Sequence, residues 1–478
     1  MIQRTPGARA ALAAALALLA LGFGRFVVDA LAFLRSPYSR DYGEGVVLTL
    51  SRLLAEQGNY FHPVDDYPMV HGNYPPVFLL LSAAGLRLLG PDLAVTRGLS
   101  IASTVGVMAV VYAIVRQRWR DRALALCAAL LVVAPWFVVT WAPLGRVDML
   151  ACLFSVAGLW LFAHEGAGWR RWASAACFVL GVFTKQTALL APAAAVLSLM
   201  RDPEGRRRAP GFLLFFAVPA GMLLLALVVA TRGEAWTHLV TYTAAADYSL
   251  TALRRAGETF LVTAGPLLAV VLLALGASSP LLATRDLPFV LYWLLNLGAL
   301  VTTAKAGAAQ NYLIEPWLAT VLLAALSLGA LHERSPDIFR WWPAVMLVAA
   351  AVALATDHDL ARLQRPIRNP GLATEYRSLD QAIEATAGPI LSENLSVLVR
   401  KGKPVLVEPF GMLQLSRKGL WRPDRLVADC EAGRFDLVVY EARLRDIPGI
   451  DACLDGRYEP MGRLGPYELF RPRPAAIP

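Results

Sequence analysis

Asp41 and Glu44 stand three residues apart in the stretch RDYGEG, a spacing that sets two carboxylates on one face if the stretch is helical. Further along, Arg146 and Asp148 flank one valine in GRVDML, and Lys185 interrupts the apolar run GVFTKQTALL. Lys305 opens a later polar interval, KAGAAQNY. A carboxylate can take the proton of an attacking hydroxyl. A cation, either a metal or a lysine, can neutralise a departing phosphate. Two acids from different loops and one or two cations are what a phosphodiester-linked sugar donor would need. The interval Arg40–Tyr74 is the densest in such groups, adding His62, Asp65, Asp66, His71, Asn73 and Tyr74.

Each residue also has a purely structural reading. Asp41 can cap a helix starting near Gly43, which does not exclude catalysis. Asp148 can pair with Arg146 or cap a helix. Lys185 can snorkel to a membrane surface. His62, Asp65 and Asp66 read as loop polar groups, with His71 and Asn73 kept as contacts to a sugar or metal because they precede the Tyr74-Pro75-Pro76 turn. Arg254 and Arg255 can recognise an acidic acceptor group or anchor an interface. Gln310, Asn311 and Tyr312 are candidate donor contacts. Glu393 and Glu408 follow strand-like runs and read as structural.

The elements that position these groups are set by hydropathy. Of the 478 residues, 57% are hydrophobic and 17% charged, and the mean hydropathy is +0.51. Apolar runs of roughly 17–25 residues match a bilayer core, so the chain reads as an all-α polytopic membrane protein. About eleven spans are predicted, near 10–33, 93–115, 123–141, 147–163, 172–185, 187–200, 211–231, 259–279, 287–304, 312–330 and 340–356. The first is expected to be an uncleaved span rather than a signal peptide, because the run is longer than a usual signal core. The net charge of +9 sits in short loops, at 116–122, 170–171, 201–208, 285 and 334–340. That is where orientation signals lie, and no basic stripe suggests nucleic acid. All these loops fall on the cytoplasmic side if residues 75–89 do not cross. About fifteen residues rise about 22 Å as a helix, short of the ~30 Å core. This run and Val46–Gln57 are expected to be interfacial helices within an outer loop spanning 34–92, or else helices of a soluble cap. Lys185 then marks the apex of a pair of short helices.

Beyond residue 356 the composition changes. PILSE, KPVLVEPF, FDLVVYE and the stretches 458–461 and 467–470 read as short strands with helices between them. Residues 357–478 thus form a small C-terminal α/β domain, placed outside by the last span, after a membrane module of residues 1–356. Cys430 and Cys453 lie in it and can form a disulfide in an oxidising compartment. Cys127, Cys152 and Cys177 lie in apolar runs and read as small hydrophobes.

Taken in order, these features resemble the GT-C superfamily of integral-membrane glycosyltransferases, in particular the lipid A aminoarabinose transferases and protein O-mannosyltransferases. The matching pieces are RDYGEG after the first span, NYPPVFLLL, GRVDMLACL, GVFTKQTALLAP and an extracytoplasmic tail. The resemblance covers about residues 10–330. It implies a polyprenyl-phosphate-linked sugar as donor, and a glycan, lipid or protein hydroxyl as acceptor. The location would be a bacterial inner membrane, with the site on the extracytoplasmic side. Asp41 matches the acid taken as catalytic base, Asp148 a second acid that binds metal or donor phosphate, and Lys185 the cation near the lipid phosphate. Asp41 and Asp148 would be the ligands of any Mg²⁺ or Mn²⁺. Glu44 departs from the pattern and leaves open which of the two acids is the base. A flippase for lipid-linked sugars, or an envelope assembly protein, are the competing readings; the lack of an internal repeat and the polar groups gathered on one face weigh against them.

Overall fold

The computed structural model describes residues 5–164, 168–201, 203–276, 285–335, 340–355 and 370–474. Six helices among these are long and apolar enough to cross a membrane: Pro6–Arg35 (α1), Leu93–Trp119, Pro203–Ala230, Leu250–Gly276, Leu287–Ala304 with its 3₁₀ end, and Gln310–Glu333 with its 3₁₀ start. The other apolar helices, Pro76–Leu89, Arg122–Leu131, Asp148–Ala163, Gln186–Leu199 and Trp342–Ala355, are shorter. The helix Ile314–Arg334 is the axis of the bundle. Its Trp317, Leu322, Leu326 and Leu328 have no solvent contact. Pro203–Ala230 is an outer helix, with Leu214, Met222 and Val229 each at least 60% exposed. Apolar side chains so exposed fit a surface that lipid covers.

The sequence expectation for 123–141 is corrected. The chain breaks between Arg122–Leu131 and Trp136–Trp141. Pro135 has no N–H to continue the helix; the Leu131 carbonyl accepts from Ala134 N–H in a tighter turn at 3.1 Å, and the Val132 carbonyl accepts from the Trp317 indole at 3.1 Å. The helix pair around Lys185 is found as expected. Gly168–Val182 stops, and the chain resumes in a 3₁₀ turn at Gln186 with Lys185 extended between them.

The segment after α1 begins with a helix Tyr42–Gln57 (α2), followed by Pro76–Leu89 (α3). Helix α3 leaves Leu80, Leu81, Leu88 and Leu89 exposed, an apolar face compatible with the expected interfacial helix. Helix α2 has no such face. Val46, Val47, Leu48 and Leu50 are all buried, between α3 and the first loop, through Phe78, Leu79, Tyr60 and Phe61, and the C-terminal helix Leu395–Arg400; a Cβ on Gly45 would sit 3.2 Å from Leu395. Protein, not lipid, covers it.

The tail carries four strands: β1 (Ile390–Ser392), β2 (Leu437–Tyr440), β3 (Tyr458–Leu464) and β4 (Tyr467–Pro472), in the order β1-β2-β4-β3. The β1/β2 pair is parallel and the others antiparallel. Residues 403–410, expected to be a short buried strand, are not a strand of this sheet. Val407 makes a single parallel bridge to Met69 of the first loop, closed by Met69 N–H to Leu406 O at 2.8 Å and Glu408 N–H to Met69 O at 2.9 Å. Their hydrogen bonds dock the tail onto that loop, helped by Arg52 Nη1 donating to Lys403 O at 2.8 Å. Cys430 and Cys453 are joined, Cα to Cα 6.2 Å apart. The boundary expected at residues 356/357 lies outside the described residues.

Candidate active site

The site begins at the start of α2. Asp41 is its N-cap, with extended backbone, and its carboxylate accepts from Gly43 N–H at 2.9 Å. The same oxygen, Oδ2, meets the guanidinium of Arg146. Capping and ion pairing are therefore both present, and the carboxylate still reaches a cavity. Gly43 is required by this approach: a Cβ there would overlap Arg146 Nη1 and crowd the Asp41 carboxylate.

Arg146 holds three partners. It meets Asp41, lies 3.4 Å from Asp148 Oδ2, and donates to Tyr74 Oη at 3.0 Å. Asp148, first residue of its helix, accepts from Lys185 Nζ at 2.7 Å and from Asn311 Nδ2 at 3.0 Å. Lys185 Nζ lies 4.6 Å from the ring centre of Tyr312. The result is a row of alternating charges, Asp41–Arg146–Asp148–Lys185, drawn from α2, the loop before Asp148–Ala163, and the break at Lys185. Such a row fixes each side chain without leaving a bare charge in a poorly hydrated site.

Asp41, Arg146 and Lys185 face one cavity of about 540 Å³, with His71, Asn73, Tyr74 and Tyr312 in its wall. Asp148 and Asn311 stand behind that wall, around a smaller void. Gln310 does not line the cavity, nor do Arg254 and Arg255; Arg254 instead pairs at the surface with Glu258, 3.7 Å away. Lys305 does line the cavity and donates to Thr243 O at 2.6 Å, and burial lowers its affinity for protons. His71 is held by the His238 carbonyl at 3.0 Å, and burial pushes its pKa down to about 4.

Glu44 is placed elsewhere. Because Asp41 is a cap with extended backbone, the two acids do not share a helix face. Glu44 points inward and is gripped by Arg97, Nε to Oε1 at 2.7 Å and Nη2 to Oε2 at 2.8 Å. Backbone N–H groups of Arg40 and Gly145 add 2.8 and 3.0 Å bonds. Burial alone raises its pKa, but Arg97 and these donors outweigh it and hold the carboxyl below the usual range. Neither side chain of the pair has solvent exposure.

Two features of the wall come from the tail. Glu408 reads from sequence as structural, and it does cap the helix Pro409–Arg417 through Gly411 N–H. It also lines the cavity and accepts from the Tyr42 hydroxyl. Burial pushes its pKa up to about 7. Arg443 lies beside it, over the rings of Tyr42 and Phe410. Glu393 has the structural role expected, accepting backbone N–H groups of residues 441–444.

The cation expected at Asp41 and Asp148 meets a poor fit. Both carboxylates already converge on Arg146, and among the described residues no group of three or more His, Cys, Asp or Glu side chains is arranged to hold a metal.

The architecture has known counterparts. ArnT from Cupriavidus metallidurans bound to undecaprenyl phosphate superposes with a TM-score of 0.66 at 15% identity, over 96% of this chain and 98% of that one. Its apo state gives 0.64 at 14% identity, over 95% and 96%. This is the GT-C fold. The archaeal oligosaccharyltransferase AglB from Archaeoglobus fulgidus, in complex with an inhibitory peptide and a dolichol-phosphate, gives 0.52 at 12% identity, over 96% of this chain and 75% of that one. Residues 73–231 also match the family described as dolichyl-phosphate-mannose-protein mannosyltransferase. No curated protein sequence matches the chain. The resemblance read from the sequence motifs is borne out in fold, and the chain is a multi-pass membrane protein by its apolar helices.

Proposed function

We propose that this protein is a membrane glycosyltransferase that moves a sugar from a polyprenyl-phosphate donor to an acceptor hydroxyl, with inversion. The observation that carries this reading is the shared cavity in which the Asp41 carboxylate and the Lys185 ammonium sit at two ends of one charge row. The acceptor oxygen attacks the anomeric carbon as its proton passes to Asp41. The bond from that carbon to the phosphate oxygen breaks, and the polyprenyl phosphate leaves with the electron pair. Lys185, with Arg146 and Lys305, stabilises its charge. Asp148 is a positioning residue that holds Lys185 and Arg146 at the cavity edge. The undecaprenyl phosphate bound to ArnT and the dolichol-phosphate bound to AglB support a lipid-linked donor here. The basic loops support a cavity and tail on the extracytoplasmic side of the inner membrane, in keeping with residues 1–356 as a membrane module and 357–478 as an outer domain.

Asp41→Asn tests the base. Loss of transfer by about a hundredfold or more is expected, in protein that still folds; full activity would remove Asp41 from the mechanism. Because charge neutralisation is given to Lys185, a chelator should leave transfer intact and Lys185→Ala should not. Loss of activity on chelation, restored by Mg²⁺ or Mn²⁺, would return a metal to the site.

A further inference from the structure

A second cavity, of about 290 Å³, lies on the other side of Asp41. The two cavities share Asp41, Tyr42 and Arg443. The second is walled by the first loop and the tail, and Lys185 does not reach it. Its lining differs in kind from the first. Tyr376, Tyr467 and Tyr42 offer aromatic surfaces, and Asn394, Arg40, Arg443 and Glu441 offer interleaved donors and acceptors.

Two of these groups are poised for a ligand. The Arg443 guanidinium carbon lies 4.8 Å from the Tyr42 ring centre and 5.0 Å from that of Phe410. Among the described residues this guanidinium makes no hydrogen bond or ion pair. The two rings fix the direction of its N–H groups without consuming them. Glu441, on the same tail loop, likewise has no side-chain hydrogen bond or ion pair among the described residues. Glu393 is different: backbone N–H groups occupy its carboxylate.

We propose that this second cavity is the acceptor subsite and that it takes a neutral saccharide, whose hydroxyl is presented to Asp41 across the shared wall. The inference rests on the transferase reading. Tyrosine faces with fixed donors and acceptors suit a ring bearing many hydroxyls. A phosphate or carboxylate would meet Glu441 and Asp41 as well as the arginines. A polyprenyl chain is excluded by polarity and size. The tail therefore supplies acceptor specificity, with Arg443 and Glu441 as the residues that read it.

The test uses the full chain in detergent, with Ser39→Cys as reporter. Ser39 lines this cavity and is not one of the residues that read the saccharide; Cys127 and Cys152 are buried, Cys430 is joined to Cys453, and the part-exposed Cys177 is replaced by serine. Saturation-transfer NMR of the same trisaccharides on the unsubstituted chain serves if this variant fails to fold. The rate of labelling by a charged methanethiosulfonate is measured with each of a panel of neutral trisaccharides, with serine- or threonine-containing peptides, and with undecaprenyl phosphate. At least one trisaccharide should slow labelling about fivefold or more at saturating concentration, and Arg443→Ala should abolish that protection; undecaprenyl phosphate should not protect. Protection by peptide alone, or by no trisaccharide, overturns the proposal. Labelling needs no turnover, so the outcomes separate. Protection without transferase activity would retain the saccharide site and reject the transferase reading, while transfer without protection would place the acceptor elsewhere.

Discussion

Replacing Glu44 with alanine leaves the Arg97 guanidinium buried without its acid, a change that costs about 3–5 kcal/mol in comparable buried pairs. The expected result is a large drop in melting temperature. Asp41→Asn, at a partly exposed carboxylate, should melt close to wild type. A Glu44→Ala protein that is stable but inactive would move the base from Asp41 to Glu44. Glu408 gives a pH signature. Its pKa is about 7 in the fold against a usual 4.5, so the folded state holds a proton that the unfolded state releases between those values. Its contribution is fully present below about pH 4.5 and is lost as the pH rises to about 7. His71 and His238, both pushed down to about 4 by burial, act in the opposite sense: their contribution is lost as the pH falls from 6.5 towards 4. The clean measurement is the difference between wild type and Glu408→Gln in melting temperature across pH 4.5–7. The wild type should lose its advantage as pH rises; a difference independent of pH would contradict the assignment. Asp41, Arg146 and Lys185 were legible in the sequence because charges beside apolar runs are costly and rarely idle. Arg97 carried the same signal, a charge near the start of the span 93–115, and its need for a buried acid points to Glu44. Arg443 and Glu441 gave none, because only the docking of the tail brings them to Asp41.

The first turn of α2 is the element on which the site depends. It sets Asp41 as a cap, lets Gly43 pass against Arg146, and sends Glu44 inward to Arg97. Gly43→Ala introduces a methyl group where the Arg146 guanidinium lies. Displacing that side chain by about 1 Å can cost on the order of a hundredfold in rate. The expected readout is a fall in kcat with the melting temperature close to wild type. An alanine variant with wild-type kcat would show that the Asp41–Arg146 contact does not position the base. Helix α2 also shows where amphipathic patterning misleads. Its apolar stripe predicted lipid, but α3, the first loop and the tail helix Leu395–Arg400 cover it, and a partner brought from a distant part of the chain leaves no mark in local periodicity. The same applies to 403–410, whose alternation is satisfied by one bridge to Met69 rather than by the sheet.

At the scale of the whole molecule, a helical bundle and a small α/β tail close on the first loop between them, and Asp41 stands where the two cavities meet. Cys430 and Cys453 brace the tail. They should resist thiol reagents until reduced, and for the loop they close, reduction should cost the tail about 3 kcal/mol; free thiols without reductant would contradict the joined pair. The bundle was readable from hydropathy, charge placement and the order of motifs, since each follows from the cost of polar groups in a bilayer. The docking of the tail was not, since its backbone hydrogen bonds to Met69 can be made by any sequence, and its side-chain contacts, such as Tyr42 with Glu408, join residues far apart in the chain. The central claim is that Asp41 drives transfer from a lipid-linked donor. It is tested most directly by mass spectrometry of membrane lipids from cells lacking the protein, complemented with wild type or with Asp41→Asn. The account predicts that one polyprenyl-phosphate sugar accumulates in the deletion and in the Asp41→Asn strain, and clears with the wild type. No change in any such lipid, or a wild-type profile restored by Asp41→Asn, would contradict it.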